Sequence, residues 1–225
     1  MPDIEFPTGA GSAPGYLAKP DGEKGPATIV LQEWWGLDEH IRSVCDRFAA
    51  EGFFALAPDL YRGETASQPS EAEQKMMALS MDQAEQDMCG AAEYLRGLEG
   101  VSGPGVGSVG FCLGGGLSIW AAANCPNIAA VVSYYYVMPH GKPDFNGIGG
   151  PALMHFGTAD DFVPVADAEQ LTGELEHAGV KVRAEFYEDA GHAFFNDTDR
   201  LGTYDPDAAR LSWERTVEFL RAALS

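Results

Sequence analysis

Long apolar runs, basic residues and paired cysteines are all scarce in this chain. No apolar stretch approaches the ~18 residues of a membrane helix. The longest, Ala129 to Met138, holds a serine and three tyrosines, so no membrane partner is expected. Lys and Arg number 14 against 34 Asp and Glu, a net charge of −20. Such a field repels polyanions and argues against nucleic acid or anionic lipid as a partner. An anionic small molecule would need a local cation. The cysteines at 45, 89, 112 and 125 form no C-x-x-C pair and have no histidines at metal spacing. Reduced thiols are therefore expected. H-E-x-x-H is missing, so neither a metal nor another cofactor is expected. The first ten residues carry two acids and no basic cluster. They read as neither a secretory signal nor a transit peptide, which predicts a cytoplasmic protein. There is no internal repeat and no low-complexity tract.

What remains is an ordinary globular composition: 225 residues, 45% apolar and 21% charged. That suits a single domain over 1–225, as a monomer or small homo-oligomer. Residues 7–26 read as an irregular entry with a hairpin around Tyr16 and Leu17. Beyond them, short β-rich runs alternate with helical patterns. Strands are predicted over 27–32, 53–57, 106–111, 129–135, 151–156 and 180–187. A helix capped by Asp38 carries Ile41, Val44, Cys45, Phe48 and Ala49 at helical spacing and ends at Gly52. Residues 71–98 read as two helices with Met76, Met77, Met81 and Met88 inward. Further helices are expected over 117–123, 165–178 and 207–223. This alternation predicts an α/β fold, a doubly wound and mostly parallel sheet with helices on both faces. Ligands of such sheets sit beyond the C-terminal strand ends.

One motif at such an end carries chemistry. Gly110-Phe111-Cys112-Leu113-Gly114 follows the 106–111 strand and opens a helix. It is the G-x-S-x-G elbow with Cys in place of Ser. A nucleophile on so cramped a turn needs neighbours without a Cβ, and the helix N-terminus beneath it favours thiolate. In a chain of this composition G-x-C-x-G arises by chance about 0.06 times. The bland alternative is a glycine-rich turn with an inert buried cysteine.

A nucleophilic thiol needs a base, and the base needs an orienting group. Asp160 lies past the 151–156 strand and His192 past the 180–187 strand, both on the sheet edge of Cys112. Asp161 competes with Asp160, one of them being free to cap the helix near Pro164. His140 also lies on a strand-end loop. His40 and His177 fall on helices and are expected in solvent, whereas His155 reads as packed core. The Leu113 N–H should be one oxyanion donor, with a partner from Gln32-Glu33-Trp34-Trp35-Gly36. Glu33 is either a surface residue or a buried carboxylate meeting the thiol. Trp34, Trp35, Tyr134, Tyr135 and Phe194 are candidate pocket walls.

These stretches, with Ala57-Pro58-Asp59-Leu60-Tyr61, Asp160-Asp161-Phe162-Val163-Pro164 and Ala190-Gly191-His192-Ala193-Phe194, resemble the dienelactone hydrolase family of α/β-hydrolases. The resemblance runs in family order over nearly the whole chain. It implies a Cys112–His192–Asp160 triad that opens an enol lactone through an acyl-enzyme. It also implies that Glu33 hydrogen-bonds the resting thiol and that the N–H groups of Trp34 and Leu113 form the oxyanion hole. Family arginines that hold a substrate carboxylate fall here on Asn196 and in a region offering only Arg62 and Lys75. Either Arg62 or Lys142 replaces them, or the substrate is another ester or thioester, uncharged in one version. A reading from a different class is a non-catalytic thiol-sensing or binding protein on the same scaffold.

Overall fold

The computed structural model describes residues 3–225. The chain opens as a hairpin of β1 (Asp3–Thr8) and β2 (Gly11–Ala18). Its turn lies at Gly9 and Ala10. Tyr16 and Leu17, expected at the turn, are paired strand residues facing Ala57 and Leu56. The remaining strands are β3 (Gly25–Leu31), β4 (Phe54–Pro58), β5 (Val101–Phe111), β6 (Ile128–Tyr134), β7 (Ala152–Gly157) and β8 (Val182–Tyr187). They form one eight-stranded sheet in the order β1-β2-β4-β3-β5-β6-β7-β8. β1 and β2, and β2 and β4, run antiparallel, whereas the pairings from β4 to β8 are parallel. This is the mostly parallel, doubly wound sheet that the β/α alternation predicts.

Helices cover both faces because each carries one apolar stripe. On one side lie α1 (Glu39–Ala50) and α6 (Pro206–Ala223). Ile41, Val44, Phe48, Val217 and Leu220 pack there against Val30, Val109 and Val132. On the other lie α3 (Met81–Gly97), α4 (Leu113–Asn124) and α5 (Val165–His177). Met88, Leu95, Leu117 and Leu171 pack there against Ile29, Leu31 and Met154. Asp38 caps α1 by accepting from the Ile41 N–H at 3.2 Å. A short α2 (Pro69–Ala78) precedes α3, and Met77, expected inward, is 57% exposed. No helix among the described residues is long and apolar enough to cross a membrane.

The expectation of reduced thiols fails at one pair. Cys89 on α3 and Cys125 at the end of α4 form a disulfide across 36 residues of chain. Side-by-side packing of α3 and α4 brings their Cα atoms to 5.0 Å, within bridging range. Only Cys45 and Cys112 are free, both buried. Closing a loop of this size stabilises a fold by about 4 kcal/mol in the chain-entropy account. Reduction, or replacement of both cysteines by Ser, should lower Tm by on the order of 10 °C. An unshifted melting curve under reductant would show that the bridge adds nothing.

His40 departs from expectation in the same way. It is 2% exposed, and its Nδ1 lies 3.0 Å from Asp197 Oδ1. Its ring meets Phe111 and Phe195 edge-on. The α1 register that buries Ile41 and Val44 buries His40 with them.

Candidate active site

β3, β5, β7 and β8 deliver their following loops to one edge of the sheet. Glu33 and Trp34 follow β3, Cys112 follows β5, Asp160 follows β7 and His192 follows β8. Cys112 has φ 54° and ψ −117°. Few L-residues adopt such a backbone, and the surrounding glycines allow it. A Cβ on Gly110 would lie 1.8 Å from the Gly114 carbonyl oxygen, and one on Gly114 would lie 2.2 Å from that of Leu31. The turn is thus pressed onto both the helix it opens and the neighbouring strand. The Cys112 N–H donates to Tyr134 O at 3.1 Å. Its carbonyl accepts from Gly115 at 2.8 Å and Val137 at 3.1 Å.

His192 is 5% exposed, and its Nδ1 lies 2.9 Å from Asp160 Oδ2. The other carboxylate oxygen of Asp160 accepts the N–H groups of Phe162 at 2.8 Å and Val163 at 2.9 Å. Three hydrogen bonds therefore fix this carboxylate. Asp161 is exposed, and α5 has no side-chain cap. Burial alone would pull the His192 imidazole down. The Asp160 hydrogen bond and the adjacent Cys112 sulfur outweigh it and lift the ring from 6.5 to about 10. This pairing favours the folded state fully below pH 6.5, and the benefit fades as pH climbs toward 10.

Cys112 and His192 share a cavity of about 60 Å³ with Trp34, Met76, Val137, Phe162 and Leu201. The Phe162 ring lies 4.8 Å from the imidazole, centre to centre, and Tyr135 approaches it edge-on at 5.0 Å. Among the described residues, the Trp34 and Leu113 amides donate no backbone hydrogen bond.

Several candidates occupy other places. The two Glu33 oxygens accept from Tyr135 Oη at 3.2 Å and Asn196 Nδ2 at 2.6 Å, and the thiol is not a partner. Burial pushes the Glu33 carboxyl up, while His40 and the Asn196 hydrogen bond pull against it. Asn196 is consequently a Glu33 clamp rather than a wall of the cavity. Tyr134 points to the α6 face, where its hydroxyl meets Thr216 Oγ1 at 2.7 Å. Phe194 is wholly buried against Tyr134 and Tyr187. Strand alternation explains Tyr134, because neighbouring residues take opposite faces. Trp35 packs on Ala66 and Ala72 under the Arg200 guanidinium, outside the cavity lining.

Neither proposed replacement cation is free. Arg62 makes a bidentate pair with buried Asp87, 2.8 Å to each oxygen, and Lys142 pairs with Glu174. Lys75 pairs with Glu64. His140 Nε2 donates to the Met76 carbonyl, and His155 is locked in the core between Tyr187 and Thr216. Sequence reading missed Met76, Val137, Phe162 and Leu201 as cavity walls. Only Phe162, two residues beyond Asp160, carried a positional signal.

Comparisons with known proteins identify the family. The dienelactone hydrolase family description matches residues 13–224. "Protein usf" of Aquifex pyrophilus is 34% identical, over 99% of this chain and 98% of that protein. A "Putative carboxymethylenebutenolidase" of Aquifex aeolicus is 31% identical, over 98% of each. The crystal structure of a "Putative Dienelactone Hydrolase" from Klebsiella pneumoniae superposes with a TM-score of 0.86 at 26% identity, covering 98% of this chain and 97% of that one. With the family description matched over almost its whole length, the chain belongs to the dienelactone hydrolase family.

Proposed function

We propose that this protein hydrolyses carboxylic esters or lactones through an acyl-enzyme on Cys112. The observation that carries the reading is the 2.9 Å His192–Asp160 pair bordering the cavity of a cysteine held at positive φ. Asp160 orients the imidazole and stabilises its charged form. His192, with its basicity raised, takes the thiol proton as Cys112 attacks the carbonyl carbon. The Trp34 and Leu113 N–H groups receive the oxyanion. His192 then returns the proton to the leaving oxygen. Water, activated by the same ring, later releases the acid and restores the thiol. Glu33, Tyr135 and Asn196 form a buried hydrogen-bonded support behind the Trp34 loop.

The test is a short incubation with para-nitrophenyl acetate followed by mass spectrometry of the intact protein and its peptides. One acetyl group on Cys112 is expected. Asp160→Asn should slow acylation by about 10³- to 10⁴-fold, because the imidazole loses its orienting acceptor. It should also move the rise of activity with pH, which follows loss of the imidazole proton, below the value of about 10 held by the wild-type ring. Nitrophenol release without acyl transfer to residue 112 would refute the mechanism. Reversible oxidation of Cys112 without any ester turnover would instead favour the thiol-sensing reading.

A further inference from the structure

The cavity at Cys112 has no charged lining side chain apart from His192, and the charge on His192 is matched by Asp160 at 2.9 Å. Its remaining walls are two aromatic and three aliphatic side chains: Trp34, Phe162, Met76, Val137 and Leu201. The cations on surrounding loops are committed elsewhere. Arg62 is held by Asp87, Lys75 by Glu64, and Arg200 by Asp38 at 3.3 Å and the Ala66 carbonyl. Glu33 adds a buried carboxyl behind the loop, and the whole chain carries −20. A carboxylate placed here would lose its water and meet no fresh counter-charge.

The cavity does not end at its own walls. Val137 and Phe162 also line a groove of about 410 Å³ that runs along Tyr136, Met138 and Pro139 to Leu171. Two charges border that groove, Lys142 and Asp167, and Lys142 is paired with Glu174. Phe162 stands between the two spaces, 61% exposed, with its ring against His192.

We infer that the substrate is an uncharged ester with two apolar arms, one in the Cys112 cavity and the other across Phe162 in the groove, and that Phe162 sets this preference. The inference rests on the hydrolase reading for its chemistry but not for its recognition. An anionic acyl arm is rejected by desolvation at the cavity wall, and a cation at 162 would offer it a partner.

The test compares para-nitrophenyl butyrate with its length-matched anion, the mono-para-nitrophenyl ester of succinic acid, at low and high salt. The wild type should favour the butyrate by at least about tenfold in kcat/KM, roughly 1.4 kcal/mol. The preference should persist at high salt, where long-range repulsion is screened. Phe162→Arg should narrow the ratio severalfold. In parallel, butyranilide and its succinic half-amide should compete with iodoacetamide for Cys112, the neutral amide protecting better. Protection needs no turnover, so neutral-selective protection in a protein that hydrolyses neither ester would sink the hydrolase reading and keep this one. Equal or better use of the anion, a preference that vanishes in salt, or a ratio unmoved by Phe162→Arg would overturn the inference.

Discussion

Cys112→Ala should cut ester turnover by about four orders of magnitude or more, with Tm within a degree or two of wild type. The rate effect is large because the variant removes the only atom able to form the acyl bond. Units that act together lose nearly all of their advantage when one member is removed. The stability effect is small because Ala keeps the Cβ and removes only the sulfur beside the cavity. It also leaves the backbone bonds of residue 112, to Tyr134 and from Gly115 and Val137, in place. Cys112→Ser should retain measurable but much slower turnover, since the hydroxyl sits on the same elbow with a poorer match to His192. Steady-state rates with an activated aryl ester, measured beside thermal melts, check both claims. Wild-type rates in Cys112→Ala would end the account of this site.

The second large effect is structural. Gly110→Ala should destabilise the fold by about 3 kcal/mol or more, with most activity lost. The added Cβ would sit 1.8 Å from the Gly114 carbonyl oxygen and 2.2 Å from its carbon. Both are backbone atoms at the start of α4, so no side chain can swing aside. Either α4 moves off the strand, taking Cys112 from His192, or β5 slips against β3, with which Gly110 is paired. Gly173→Ala is the control. Gly173 lies within α5, an added Cβ there meets nothing within 4 Å, and Ala should stabilise by up to about 1 kcal/mol. Denaturant melts of the two variants distinguish a specific close approach from a general intolerance of methyl groups. Equal stability of Gly110→Ala and wild type would show that the elbow is looser than its geometry implies.

The positions of Cys112, Asp160 and His192 were legible because each sits just after a recognisable strand. Parallel β/α order carries the ends of successive strands to one edge, so spacing along the chain becomes proximity there. Glu33 was legible as an anomaly, a carboxylate in an apolar loop, but its partners were not. Tyr135 and Asn196 reach it from segments 102 and 163 residues away. Tyr134 and Tyr135 look alike in sequence, yet one contacts α6 and the other meets Glu33. Strand register sends Tyr134 to α6, whereas Tyr135 lies just past the end of β6 with a left-handed backbone, φ 36°.

Composition and local pattern alone determined the acidic character, the β/α alternation, the glycine-bounded elbow and the order of the candidate nucleophile, acid and base. Each is a short-range property, set by residue type and by neighbours a few positions away. The tertiary structure alone decided the Cys89–Cys125 bridge, the burial of His40, the clamp on Glu33, the pairing of every nearby cation and the apolar lining around Cys112. All of these depend on side chains meeting from distant segments, and packing, rather than spacing, selects which of them meet.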